Sequence, residues 1–269
     1  MEQINETSLD TLCAALAEIM GIPAPKEAAP AVPALTEYAE TVFGQEKADR
    51  IFMYNPDAIG QWIYEKYPQL FTEADAQIDL KVPYCTVMPS VTPVCFGTMY
   101  TGAQPAVHGI RRYEKPVIAI DTLFDALIRA GRKPVILSYD TSSMGLIFRD
   151  RPMDYFVFDT IEQVNAKAAE LILEDKYDFY AVYNGNYDAR MHKFGPESLE
   201  ALAEAKANAR LFGMFAEMIK THWQDHNTLM AFAMDHGCHE IDHGAGSHGL
   251  DMPEDLNIVH LYKAFARKK

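Results

Sequence analysis

Apolar and polar residues follow two different spacings along the chain, and the spacing changes near residue 50. Before that point, apolar residues recur at helical intervals over residues 8–20, which predicts an amphipathic helix. Four prolines within residues 23–33 then indicate an extended connector, because proline cannot continue a helix interior. A second short helix is predicted over residues 36–43.

After residue 50, short apolar runs alternate with amphipathic stretches of helical period. Alternation of this kind is typical of a parallel β-sheet whose connections are helices. The predicted strands cover residues 51–54, 134–139, 179–183, 228–234 and 257–262. The predicted helices cover residues 59–67, 121–130, 160–174 and 197–223. The chain is therefore expected to be an α/β protein with a mainly parallel central sheet flanked by helices.

Composition indicates the cellular compartment of the protein and the kinds of partner that it does not bind. The 269 residues carry a formal charge of -14, which is unfavourable for binding the phosphates of a nucleic acid polymer. No window approaches the roughly 20 apolar residues that a membrane-spanning helix needs. The first ten residues contain three acids and no lysine or arginine, unlike a secretory signal. We therefore expect a cytoplasmic protein that binds neither nucleic acid nor membrane, with its four scattered cysteines reduced.

Ionisable side chains follow three of the predicted strands. Asp57 comes three residues after the first strand, Asp188 comes five residues after another, and Asp235 and His236 follow a third directly. In open α/β sheets, ligands bind beyond the carboxyl ends of the strands, where the following loops present side chains. These residues are therefore expected to belong to one functional edge of the sheet.

Residues that can ligate a metal ion are most concentrated near the C-terminus. Four of the nine histidines fall within residues 236–248, next to Asp235 and between Gly237 and Gly249. Imidazole and carboxylate suit zinc or manganese, and glycine lets the backbone turn closely around an ion. A solvated polar loop is the alternative interpretation of this segment.

Two other candidates are weaker by themselves. Asp188 and His192 stand four residues apart, so on one helical turn both would face the same direction. Helix capping by Asp188 beside an exposed His192 is the alternative. Thr92 precedes Pro93, where a helix can open. A hydroxyl at a helix N-terminus suits either a capping residue or a nucleophile that faces a phosphoryl group.

Together these segments resemble the alkaline phosphatase superfamily, and most closely its nucleotide pyrophosphatase/phosphodiesterase branch. The resemblance covers roughly residue 50 to the C-terminus, with the motifs in the family's order. The matching positions are Thr92 and the following Thr101-Gly102, Pro105 and His108-Gly109-Ile110; then Asp188, His192, Gly195, Pro196 and Ser198; then Asp235-His236-Gly237; and finally His248-Gly249. Asp57 is a looser match to the family's early aspartate.

The resemblance implies an alkaline phosphatase-like catalytic domain over residues 46–269, with residues 1–45 as an N-terminal helical arm. It also implies two divalent metal ions, with zinc as the first choice and manganese as the second. One ion would be held by Asp188, His192 and His248, and the other by Asp57, Thr92, Asp235 and His236. Thr92 would be the metal-activated nucleophile that attacks a small phosphorylated substrate. His243 competes with His248 for its place, although the Gly-Ser-His-Gly context favours His248.

The resemblance leaves the reaction subclass open. Hydrolysis of phosphodiesters or nucleotide pyrophosphates is expected first, and a phosphomonoesterase is the alternative. A sulfatase is disfavoured because neither Cys85 nor Cys95 lies in a Cys-x-Pro-x-Arg motif, and a mutase because the chain has little room for a cap domain. A non-catalytic metal- or ligand-binding protein is a further alternative, against which the intact Thr92 argues. The sequence is compatible with a monomer or a homo-oligomer.

Overall fold

One large sheet and one small hairpin organise the chain. The structure, a computed structural model, describes residues 3–268; Met1, Glu2 and Lys269, the outermost residues of the predicted arm and catalytic domain, lie outside the described residues. The strands are β1 (Arg50–Pro56), β2 (Leu80–Cys85), β3 (Pro134–Tyr139), β4 (Asp154–Phe158), β5 (Phe179–Asn184), β6 (Thr228–Phe232), β7 (His239–Ile241), β8 (Ala245–Ser247) and β9 (Asn257–Phe265).

Helices fill the connections between these strands. The α-helices are α1 (Thr11–Ile19), α2 (Pro33–Phe43), α3 (Gln61–Lys66), α4 (Thr72–Asp75), α5 (Thr92–Thr101), α6 (Pro105–His108), α7 (Leu123–Arg129), α8 (Ser143–Ile147), α9 (Ile161–Glu174), α10 (Asn186–Phe194), α11 (Leu199–His222) and α12 (Pro253–Leu256). Two short 3₁₀ turns cover Pro68–Leu70 and Asp242–Gly244. Among the described residues, no helix is long and apolar enough to cross a membrane.

Parallel strands form the interior of the large sheet. Its order within residues 3–268 is β2-β9-β6-β1-β5-β3-β4, and β1 pairs in parallel with both β5 and β6. Strand β9 runs antiparallel to β6 and to β2. Residues 51–56 of β1 are all buried, as expected for a parallel strand that helices cover on both faces. The mainly parallel α/β fold expected from the sequence is confirmed.

The two faces of β1 contact different helices. Phe52 and Tyr54 point to one face, where their rings lie 5.4 and 5.8 Å from the ring of Phe215 in α11. Asn55 points to the other face and accepts a 2.8 Å hydrogen bond from the hydroxyl of Tyr100 in α5. Helix α5 is thereby fixed against the central strand, and its first residue lies near the carboxyl end of that strand.

The predicted elements of the sheet and its long helices are present with shifted ends. The strand predicted over 134–139 has those bounds, whereas the one predicted over 228–234 ends at Phe232 and the one predicted over 257–262 continues to Phe265. The helix predicted over 160–174 starts one residue later, because Thr160 caps it through a capping box. Helix 197–223 begins at Leu199 for the same kind of reason, with Ser198 as its cap.

The remaining helical predictions were also wrong at their ends. Predicted helix 8–20 is Thr11–Ile19, because Ser8 instead makes a β-bridge with Cys85. The helices predicted over 36–43, 59–67 and 121–130 are Pro33–Phe43, Gln61–Lys66 and Leu123–Arg129. Strands β2 and β4 were not predicted. Both are edge strands with partly exposed side chains, and a proline inside β2 obscures its pattern.

The N-terminal segment packs into the same hydrophobic core as the sheet. Leu9, Leu12 and Leu16 are fully buried, and the Leu9 amide donates a 2.9 Å hydrogen bond to the carbonyl of Cys85 in β2. Helix α1 also contacts helix α5. The division of the chain at residue 45 stays a prediction, and these contacts allow a direct test of whether the arm stabilises the catalytic domain.

Leu12→Ala is expected to lower the free energy of unfolding of the whole chain by about 2–5 kcal/mol, because it opens a cavity in a shared core. Urea denaturation monitored by fluorescence and circular dichroism would show one transition at lower denaturant. Glu18→Ala, at an exposed position of the same helix, is the control and should change stability by less than about 0.5 kcal/mol. A Leu12→Ala effect as small as the control's would mean that the arm does not support the domain.

Candidate functional site

Three carboxylates meet where β1, β5 and β6 end. Asp57 follows β1 directly, and its amide donates a 2.9 Å hydrogen bond to the carbonyl of Asn184 at the end of β5. The next amide, of Ala58, donates to Oδ1 of Asp235 beyond β6 at 3.1 Å. Asp188 lies in the first turn of α10, which begins just after β5. The parallel register of the central strands therefore brings these three side chains to one edge of the sheet.

The first cluster contains Asp57, Asp235, His236 and the hydroxyl of Thr92. His236 Nε2 lies 3.3 Å from Oδ1 of Asp57 and 3.4 Å from Oδ2 of Asp235. The Thr92 Oγ1 atom is 3.3 Å from His236 Nε2, and 3.4 and 3.3 Å from the two oxygens of Asp57. Thr92 is the first residue of α5, so the positive end of that helix faces this cluster.

The second cluster contains Asp188, His192 and His248. Asp188 and His192 face the same direction one turn apart on α10, and His192 Nε2 lies 3.2 Å from Oδ1 of Asp188. His248, in the loop after β8, places its Nε2 atom 3.4 Å from the same oxygen and 3.1 Å from His192 Nε2. The clusters are adjacent, because the rings of His236 and His248 have centroids 4.2 Å apart.

Backbone carbonyls set the orientation of all three imidazoles. His192 Nδ1 lies 3.0 Å from the carbonyl of Gly246, His236 Nδ1 lies 2.9 Å from that of Gly237, and His248 Nδ1 lies 3.0 Å from that of Ser90. A carbonyl oxygen can only accept, so each Nδ1 carries a hydrogen and each ring directs its Nε2 atom into the site. Gly246 is required for this approach, because a Cβ there would lie 2.4 Å from Sδ of Met191.

The three carboxylates differ in their hydrogen bonds, and two of them have an oxygen without a partner. Oδ1 of Asp235 accepts from the amides of Ala58 and His236, at 3.1 and 3.0 Å, whereas its buried Oδ2 has no hydrogen-bond partner. Oδ2 of Asp57 accepts from the hydroxyl of Tyr183. Oδ1 of Asp188 is likewise buried without a hydrogen-bond partner, and it points at the two Nε2 atoms of its cluster.

Burial and neighbouring charges shift the pKa values of the ionisable side chains in this site. Burial, reinforced by the charges of Asp235 and Asp188, raises the pKa of Asp57 well above its ordinary value. Burial also raises the pKa of Asp235 to about 8 and lowers that of His236. Burial opposes ionisation of Asp188 too, but the neighbouring His192 and His248 lower its pKa overall. Among the described residues, no lysine or arginine forms an ion pair with any of the three carboxylates.

The donor set fits two divalent cations. Each cluster offers three ligand atoms within 4.8 Å of one another, from Asp188, His192 and His248 in one and from Asp57, Asp235 and His236 in the other. A divalent cation beside the Nε2 atoms of His192 and His248, which lie 3.1 Å apart, would bind both lone pairs, and it would supply a counter-charge for the unpartnered carboxylate oxygens. Mixed imidazole and carboxylate ligation suits zinc or manganese.

The structure brings together all seven residues singled out in the sequence: Asp57, Thr92, Asp188, His192, Asp235, His236 and His248. His243, the competitor of His248, is instead exposed in the 3₁₀ turn beyond β7. Sequence reasoning missed Tyr183, the donor to Asp57. The signal that could have indicated it is that a buried carboxylate needs a hydrogen-bond donor. That signal is weak, because a tyrosine at the end of an apolar strand looks like an ordinary core residue.

Comparison with known proteins identifies a family for this chain. The sequence model of the family described as type I phosphodiesterase / nucleotide pyrophosphatase matches residues 127–263, about half of the chain. That span contains five of the seven residues above and leaves out Asp57 and Thr92. No curated protein matches the chain by sequence.

Solved structures of similar proteins share the fold. Murine ectonucleotide pyrophosphatase/phosphodiesterase 5, in an inactive form in complex with AMP, superposes with a TM-score of 0.57 at 17% identity, over 72% of this chain and 59% of that one. The human counterpart gives 0.56 at 16%, over 71% and 58%. Phosphonoacetate hydrolase from Sinorhizobium meliloti in complex with phosphonoacetate gives 0.54 at 15%, over 72% and 59%. The chain thus spans less than two thirds of each of these proteins.

Asp235→Asn is expected to raise the melting temperature of metal-free protein at pH 9. The folded carboxyl keeps its proton until about pH 8, whereas the unfolded one loses it near pH 4. Its contribution to metal-free stability is therefore fully present below about pH 4 and lost as the pH rises through about 8. Each kcal/mol recovered by the neutral amide should raise the melting temperature by roughly 2–4 °C.

Differential scanning calorimetry with a chelator, and then with zinc, would measure both states. Zinc should stabilise the unchanged protein and should stabilise Asp235→Asn much less, because that variant loses a ligand charge. Asp242→Asn, exposed in the same loop, is the matched control and should behave like the unchanged protein. If Asp235→Asn melts no higher than the unchanged protein without metal, repulsion among the buried carboxylates is not the dominant strain in this site.

Proposed function

The chain belongs to the type I phosphodiesterase / nucleotide pyrophosphatase family, and from that premise we propose that it hydrolyses phosphate esters of small molecules with Thr92 as the nucleophile. The bond cleaved is that of a phosphodiester or a nucleotide pyrophosphate. These residues would hold two divalent ions, zinc as the first choice and manganese as the second, one at Asp188, His192 and His248 and the other at Asp57, Asp235, His236 and Thr92.

The observation that carries the proposal is the position of the Thr92 hydroxyl. It is 4% exposed, opens helix α5, and lies within 3.4 Å of both Asp57 and His236. Thr92 is the first residue of α5 and not its cap, which is Val91, and the hydroxyl of Thr92 contacts Asp57 and His236. Thr92 therefore faces the ionisable cluster rather than its own helix.

The reaction assigned to these residues is an in-line displacement. Thr92 Oγ1 gives up its proton to solvent and forms a bond to phosphorus while the bond to the leaving oxygen breaks. Water then cleaves the resulting phosphothreonine ester and regenerates the hydroxyl. The bound cations would lower the pKa of the hydroxyl and neutralise charge on the phosphoryl oxygens.

The acidic surface and the buried site favour a small substrate over a polymer. The net charge of -14 opposes binding of a polyanion, whereas a single phosphoryl group needs only the local positive charge of bound cations and the end of α5. Two of the solved neighbours carry AMP and phosphonoacetate, which supports a small phosphorylated or phosphonate ligand for this chain as well.

Hydrolysis of chromogenic substrates would test the activity and its subclass. Bis(4-nitrophenyl) phosphate reports diester cleavage, 4-nitrophenyl thymidine monophosphate reports nucleotide diester cleavage, and 4-nitrophenyl phosphate reports monoester cleavage. The activity should vanish with a chelator and return with zinc or manganese. Preferential monoester cleavage would assign the phosphomonoesterase alternative, and metal binding without turnover of any of these substrates would favour the non-catalytic alternative.

Thr92→Ala is expected to reduce kcat for the diester at least about 1000-fold, because it removes the attacking oxygen. The melting temperature should stay near that of the unchanged protein, and most of the metal affinity should remain, since the carboxylates and imidazoles are intact. Thr92→Ser keeps the hydroxyl and is the matched control that should retain measurable turnover. Full activity of Thr92→Ala would remove this threonine from the reaction.

A further inference from the structure

The ligand side chains of the site differ in what anchors them. The three imidazoles are anchored by backbone carbonyls, and Asp235 is anchored by the backbone amides of Ala58 and His236. The anchor of Asp57 is a side chain, the hydroxyl of Tyr183. A backbone anchor survives most substitutions, whereas this one can be deleted by removing a single oxygen atom.

Neighbouring residues pack around the Tyr183 ring and restrict the position of its hydroxyl. The ring lies edge-on to that of Phe96 in helix α5, with centroids 5.6 Å apart, and 5.5 Å from the ring of Tyr139 at the end of β3. Gly185 packs against the hydroxyl: a Cβ at that position would lie 2.8 Å from it. Three elements of the sheet and helix layer thus fix the hydroxyl against Asp57.

We infer that Tyr183 is a positioning residue whose hydroxyl holds Oδ2 of Asp57, so that Oδ1 is presented to the same cation as Asp235 and His236. Oδ1 of Asp57 lies 3.3 Å from His236 Nε2, which is consistent with Oδ1 facing the cation while Oδ2 accepts from Tyr183. The inference rests on the proposed two-metal function. It adds a residue that touches neither the cation nor the substrate and acts through Asp57.

The hydrogen bond from Tyr183 also restricts which oxygen of Asp57 can pair with the hydroxyl of Thr92. Both oxygens of Asp57 are nearly equidistant from Thr92 Oγ1, at 3.4 and 3.3 Å, so an unanchored carboxylate could rotate and pair with the hydroxyl through either one. With Oδ2 occupied by Tyr183, the carboxylate keeps one orientation relative to both the nucleophile and the cation. Hydrogen-bonded partners of ligating carboxylates typically contribute 10- to 100-fold in metal affinity.

Tyr183→Phe tests the inference, since it deletes the hydroxyl and keeps the ring. Metal titration of the apo-protein by calorimetry, in competition with a chelator of known affinity, should resolve two sites in the unchanged protein. In Tyr183→Phe, one dissociation constant should rise about 10- to 100-fold while the other stays within about 2-fold. The weakened site should be the one that Asp235→Asn removes.

Two further variants separate positioning from a general packing defect. Tyr180→Phe removes a buried hydroxyl from the same strand, where it bonds to the carbonyl of Leu171, and both dissociation constants should stay unchanged. Gly185→Ala, at a backbone φ of -98° that alanine adopts readily, places a methyl group against the Tyr183 hydroxyl and should weaken the same site as Tyr183→Phe. It also keeps the test decisive if Tyr183→Phe folds poorly.

The kinetic outcome distinguishes positioning from direct catalysis. With Tyr183→Phe, the metal concentration for half-maximal activity should rise, and kcat should recover to within a few-fold at saturating metal. A kcat that stays low at saturating metal would overturn the positioning role, as would two metal affinities equal to those of the unchanged protein. If the unchanged protein itself binds no metal, the proposed function fails and the inference fails with it.

Discussion

Asp57 and Asp235 are buried beside the partly buried Asp188 at one edge of a parallel sheet, and among the described residues none of the three pairs with a lysine or arginine. This is the constraint on which the site depends. Like charges at such short separations in a low-dielectric environment are costly unless protons or cations neutralise them. The protein does not relieve the strain with lysine or arginine. It surrounds the carboxylates with the lone pairs of three imidazoles and the N-terminus of helix α5, which is an environment suited to multivalent cations.

Rigid elements maintain that arrangement. The carboxylates come from the ends of strands β1 and β6 and from the start of α10. The amide of Asp57 donates to the carbonyl of Asn184, and the amide of Ala58 donates to the side chain of Asp235. Thr92 is supplied by a helix that Tyr100 fastens to the central strand. A site built in this way is organised before any ligand arrives, so binding energy need not be spent on ordering its side chains.

Much of this organisation could be predicted from the sequence, and the failures have physical causes. Asp57, Asp188 and Asp235 were recognisable because ionisable residues directly after apolar strands mark the carboxyl edge of a parallel sheet. Edge strand β2 was not, since Pro83 interrupts its strand pattern. The carbonyls that orient the imidazoles leave no trace in a sequence, because every residue type has one. Tyr183 was missed for another reason. Its ring is buried in the core like that of an ordinary tyrosine, so the sequence gives no sign that its hydroxyl bonds to Asp57.

The reversed direction of β9 has a consequence for how such a protein can diversify. Because β9 is antiparallel to β6, residues 233–256 leave and re-enter the sheet at the same edge and between adjacent strands, with an exposed tip at residues 240–244. Lengthening a loop whose ends are already fixed together costs only about 0.6 kcal/mol for each doubling. The segment that carries His236 and His248 can therefore gain residues at its tip, between them, and reshape the entrance to the site while the positions of both histidines are inherited unchanged.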